Sequence, residues 1–135
     1  MAKESGLAIT TLSVDDSAGV ARDIRNDILS FEFATPRAEQ DITGLDKSAK
    51  ERLLLLADFS ITCNGVFNDA ANLSHAVFRT VPSSSVARTV SINISGQTLP
   101  NEVLFTDYSL SRPVSGELTW SAPGGLSDGT VPTWA

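Results

Sequence analysis

Ser85–Ser95 reads SVARTVSINIS, with Val90, Ile92 and Ile94 falling on one side of an extended chain and Thr89, Ser91, Asn93 and Ser95 on the other. A period of two sets one face on a core and the opposite face on solvent, which marks a half-buried β-strand. The same alternation recurs at Phe59, Ile61 and Cys63 against Asp58, Ser60, Thr62 and Asn64, and again at Leu118, Trp120 and Ala122 against Glu117, Thr119 and Ser121. The outward faces carry small neutral or acidic groups.

Upstream, Val20–Ile24 and Asp27–Ala34 read as strands joined by turn chemistry at Asn26-Asp27, the second with Leu29, Phe31 and Phe33 inward and Ser30 and Glu32 outward. Pro36 ends it. Residues 1–17 read as a partly extended arm that can add an edge strand, with Leu7 and Ile9, then Leu12 and Val14, as apolar contacts, and polar Arg37–Thr43 suits a projecting hairpin or long loop. Asp46–Asp58 admits two readings, a helix capped by Asp46 with Ala49, Leu53 and Leu56 on one side, or a strand beginning at Leu53–Leu56; a short helical turn followed by a strand is the expectation. Asn64-Gly65 marks a turn or bulge. A helix over 69–80 follows, with Asp69 as N-cap and Ala70, Leu73, Ala76 and Val77 at helical spacing, stopped by Pro82. Beyond Ser95 come strands around Val103–Arg112 and Glu117–Ala122, separated by a Pro113–Gly116 turn, and a tail in which Gly124, Gly125 and Gly129 read as turns. Strands, one helix, then strands describe a mainly β chain: a β-sandwich of two packed antiparallel sheets with one flanking α-helix.

Its 135 residues fit one domain able to bury a core without disulfides or metal. Hydrophobic residues make up 41% and charged ones 19%, and no apolar run approaches the ~20 residues of a membrane-spanning helix. The first residues lack the long apolar region of a secretory signal, so synthesis in a cytoplasm and no membrane partner are expected. A net charge of −6, from 16 acidic and 10 basic residues, argues against gripping nucleic acid by phosphate neutralisation. The one cysteine, Cys63, excludes an intrachain disulfide and, on an apolar strand face, reads as a packed thiol.

Catalytic signatures are missing. His75, the only histidine, lacks a second ligand or base partner at helical spacing and reads as a helix-surface residue, and no G-x-S-x-G elbow accompanies the many serines. Asp15-Asp16 reads as a solvated pair, the glycines match no phosphate-binding pattern, and the Asn72-Leu73-Ser74 and Asn93-Ile94-Ser95 sequons read as chance. Trp120 reads as core, whereas Trp134 suits packing across a subunit boundary. No catalytic residue, cofactor or metal ligand is expected, and the chain reads as no enzyme.

The order of Thr43–Ala49, Leu55–Phe67 (LLADFSITCNGVF), Ser74-His75, Ser85–Val90, Ser95–Thr98, Leu104–Leu110 (LFTDYSL), Gly116–Trp120 (GELTW) and Asp128–Pro132 resembles the major tail, or tail tube, proteins of long-tailed, non-contractile bacteriophages, above all the short single-domain type of actinobacterial siphophages. The resemblance implies homo-hexameric rings stacked into a hollow virion tail tube, through which double-stranded DNA passes transiently and without sequence preference. Terminator, tape measure and distal tail proteins would be its other partners. Ring-to-ring contacts would come from Thr35–Leu56, residues 1–17 and Leu126–Ala135. Charge effects decay over ~8 Å at physiological ionic strength, so only wall groups close to the duplex repel it. Glu32, Asp58 and Glu117, on polar strand sides, are the lumen-facing candidates; Arg88, Arg112, Trp134, Asp41 and Asp46 are the inter-subunit candidates. Two other readings share the small, β-rich, acidic character: a capsid decoration or head–tail connector protein, and a carbohydrate-binding module using Trp120 or Trp134.

Overall fold

The computed structural model describes residues 3–135, so the first two residues of the expected arm lie outside it. Its strands are β1 (Ile9–Asp15), β2 (Ala21–Asp23), β3 (Ile28–Ala34), β4 (Arg37–Asp41), β5 (Arg52–Ala57), β6 (Ser60–Val66), β7 (Arg88–Ile94), β8 (Gln97–Phe105), β9 (Ser109–Ser111) and β10 (Thr119–Leu126). One short helix, α1 (Ser74–Phe78), lies between β6 and β7. All pairings are antiparallel, in the order β2-β1-β7-β8-β10-β6-β3, with β9 also on β10; β4 and β5 form a separate two-stranded hairpin.

The mainly β, antiparallel architecture with a single helix is the one the alternation implies. Its two layers are halves of one continuous ladder, because β10 pairs β6 along its length while its other edge meets β9 and then β8. Leu12, Val14, Val90, Ile92, Leu99 and Val103 from one half share a core with Ile61, Cys63, Trp120 and Ala122 from the other, and Val77 and Phe78 of α1 complete it. Each such fully buried large side chain contributes about 1.5–3 kcal/mol. The expected arm does add a strand, but because Leu12 and Val14 belong to that core, β1 lies inside the sheet between β2 and β7 rather than at its edge.

Several local expectations change. The helix spans Ser74–Phe78 rather than 69–80, since Asn72 adopts φ 67 and breaks the run, and Asp69 does not cap it. Residues 46–51 form no helical turn; β5 is a strand in the hairpin with β4. Gly124 and Gly125 stand inside β10, where a side chain on Gly124 would fall 2.6 Å from Val103 Cγ1, so the absent Cβ lets β8 and β10 join. Gly65 continues β6 straight through, and the irregularity of that ladder lies opposite it, between Ile28 and Ser30.

Candidate functional site

Two surfaces stand out. On the first, pairing in β1, β7 and β8 aligns outward side chains into rows, since residues directly opposite in an antiparallel ladder share a face. Thr11, Asn93 and Thr98 form one row, Ser13, Ser91 and Pro100 the next, and Thr89 and Glu102 a third, with Asp15 two residues on from Ser13 on the same side. Asp23 of β2 extends the middle row. Asn93 ties its row together, accepting from the Thr10 hydroxyl at 2.9 Å and donating to Thr98 Oγ1 at 3.1 Å, and the Thr89 hydroxyl donates to the Glu102 carboxylate. The side chains in these rows are neutral or acidic. The cation beside them, Arg25, is paired with Asp23 at 2.9 Å.

The second surface is the β4–β5 hairpin. Leu53, Leu54, Leu55 and Leu56 alternate between its two faces, yet all four are exposed, Leu56 by 87%. Neither face is covered, and a lone two-stranded hairpin is marginal in water. Its contacts are polar: Arg37 donates to Leu55 O at 3.0 Å, Arg52 faces Glu39 at 3.5 Å, and Lys50 meets Asp41 at 3.1 Å. The Thr43 hydroxyl and N–H, with Lys50, hold the Asp41 carboxyl below the usual carboxylate range. Asp41 thus braces the hairpin's own loop, and Asp46 lies 3.9 Å from its neighbour Lys47.

The other sequence candidates are scattered. Glu32 is exposed on the outward side of β3. Asp58 stands between β5 and β6, where its carboxylate accepts from Phe59 N–H at 2.7 Å, and so does not belong to a strand face. Glu117 precedes β10 and is held by the Ser115 hydroxyl at 2.9 Å, a bond that with its own N–H lowers its pKa; it too is off the ladder. Arg112 is exposed in the loop after β9.

Arg88 corrects an expectation. Far from reaching a neighbouring copy, it is only 1% exposed, donating to Asp15 O and Val77 O at 3.0 Å each and to Thr80 Oγ1 at 2.7 Å. Its inward position is forced by the period that also turns Val90 and Ile92 inward, and the fork of donors joins β1 to the end of α1. Trp134 also rests on its own chain, its ring 6.2 Å from Phe33, while 46% of it stays exposed. His75 is no free surface group: Nδ1 lies 3.2 Å from the Tyr108 hydroxyl and its ring 4.7 Å from Phe67. Trp120 is buried and donates to Val66 O at 3.0 Å, and the thiol of buried Cys63 is pushed up to about 12 by desolvation.

Sequence reasoning missed Asp15, Asp23 and Glu102. Only the long-range register, which sets β1 beside β7, shows that these acids share a wall. Among the described residues no three of His, Cys, Asp and Glu gather as a metal site, and no helix is long and apolar enough to cross a membrane.

No family model and no curated protein matches the chain. Solved structures do: the tail of an empty gene transfer agent particle with C6 symmetry is similar across 98% of this chain and 98% of that one, at a TM-score of 0.71 and 18% identity. A chain from the virion of a native gene transfer agent particle is similar over 97% of this chain and 99% of its own, at a TM-score of 0.71 and 17% identity. At such identity the likeness establishes a shared fold over essentially the whole length.

Proposed function

We propose that copies of this chain associate edge to edge into six-membered rings, which stack into the tail tube of a phage-like particle and conduct DNA from head to host. The observation that carries the reading is the uncovered leucine run of β5, each side chain 41–87% exposed, on a chain whose end-to-end structural likeness is to a tail with C6 symmetry. Exposed leucines on both faces of a hairpin mark a contact site, and the β3 edge, seven residues without an outer partner among the described residues, offers backbone groups for strand pairing.

The face of β1, β7 and β8 supplies the lining. Asn93, Thr98 and Thr89 are engaged in hydrogen bonds along the wall, and Asp15 and Glu102 oppose a passing polyanion at short range. Glu32 lines the bore only if β3 joins this face in the assembled wall. The work is mechanical and electrostatic, without chemistry.

Sedimentation velocity tests the association. The protein is expected to shift to large species as its concentration rises, and the Leu54→Glu/Leu56→Glu variant to stay monomeric with an unchanged circular dichroism spectrum. Unaltered assembly of that variant would remove the hairpin from the interface. Binding only to preformed capsids would favour a decoration role, and glycan binding a carbohydrate-binding one.

A further inference from the structure

The chain leaves the ladder after β10 and then returns to it. Ser127 N–H donates to Glu102 O at 2.9 Å, continuing β10 along β8. The chain turns at Asp128–Thr130, where the Asp128 carboxylate accepts from the Thr130 N–H and hydroxyl and Gly129 takes φ 74. It comes back so that Ala135 and Thr98 exchange two backbone hydrogen bonds of 2.8 Å, while Trp134 packs on Phe33.

Adjacent residues therefore touch two different strands, Ala135 the margin of β8 and Trp134 a side chain of β3. The outer edge of β8 before its junction with β10, Gln97–Glu102, is closed at Thr98 by Ala135 and at Glu102 by Ser127, and Pro100 between them has no N–H to offer. Phe33 belongs to β3, the bare terminal strand at the far end of the strand order. Residues 133–135 are themselves exposed, and the hydrogen bonds that 131–135 make to the rest of the described chain are the two to Thr98.

We infer that Val131–Ala135 is a detachable clasp: in the single chain it closes the Thr98 end of the β8 margin and rests Trp134 on Phe33, and its release lets that end of β8 in one copy pair with the bare edge of β3 in the next. The two margins differ, so their joint is head-to-tail and can close into a ring. The β3 edge is bare already, so release is needed for the β8 half alone, and it confines pairing to chains that have let go. The inference rests on the self-association reading above and adds a control step to it.

A Thr98→Cys/Ala135→Cys variant tests it. The two positions exchange both hydrogen bonds, a pairing that brings Cα atoms to ~5.5 Å, within disulfide reach, and Cys63 is buried away from them. Oxidised, the variant is expected to assemble at least tenfold more slowly than wild type, with an unchanged circular dichroism spectrum; reduction restores the rate. Trp134→Ala, which weakens the clasp without locking it, is expected to assemble several-fold faster. An oxidised variant that assembles at the wild-type rate, or a Trp134→Ala variant that assembles more slowly, overturns the clasp while leaving self-association standing. Wild-type protein that never assembles overturns self-association itself.

Discussion

Asp27 joins parts of the chain that are far apart in sequence. It is buried, and its carboxylate accepts from Ser74 N–H and Asn68 Nδ2 at 2.9 Å each and from Asn26 Nδ2 at 3.3 Å, so it caps α1 from 47 positions away. Burial pushes its pKa up, but these hydrogen bonds more than offset that and leave it below the usual value. A carboxyl with a depressed folded pKa contributes stability that is complete above its unfolded pKa, near ~4, and lost as pH falls through the folded value. Asp27→Asn should therefore cost about 1–3 kcal/mol in urea melts at pH 7, and the gap from wild type should narrow as pH falls from ~4 through the lowered folded value. A gap that persists in acid would mean the carboxylate charge is not what matters. The local sequence pointed to Asp69 as the cap, because Asp69 immediately precedes the apolar spacing; nothing local identifies a capping group supplied from β3's entry. The period sets Arg88 on the inward side with Val90 and Ile92, but the groups that meet its charge were not legible, since its acceptors at Asp15, Val77 and Thr80 converge only in the folded chain.

At the scale of elements, the strands with a covered face were legible and the element without one was not. Val90, Ile92, Ile61 and Cys63 alternate because one side of each strand is core. At Leu53–Leu56 polar and apolar residues do not alternate, because β5 has no buried side, which is why the run suited a helix as well as a strand. The glycines of β10 read as turns for a similar reason: their role is to admit a neighbouring strand, and sequence does not display that approach. Gly124→Ala would set its methyl 2.6 Å from Val103 Cγ1 and 3.1 Å from Leu104 O, and such overpacking typically costs about 1–3 kcal/mol. A lowered urea midpoint with an unchanged denaturant slope is the expected result; unaltered stability would show that the β8–β10 junction gives way readily.

On the scale of the whole molecule, a net charge of −6, with Arg25 and Arg52 paired to acids and Arg88 in the core, disfavours the retention of a polyanion. In the proposed tube, Asp15→Lys/Glu102→Lys should leave assembly intact yet slow DNA release, an effect that shrinks at high salt as screening shortens the reach of the charges. Normal release kinetics at low salt would place the lining elsewhere. Electron cryo-microscopy of purified, concentrated protein bears most directly on ring closure itself. Hollow tubes of uniform bore, with six subunits per ring and the β1, β7 and β8 face turned inward, are the predicted image; solid fibres, or single chains at every concentration, would contradict it.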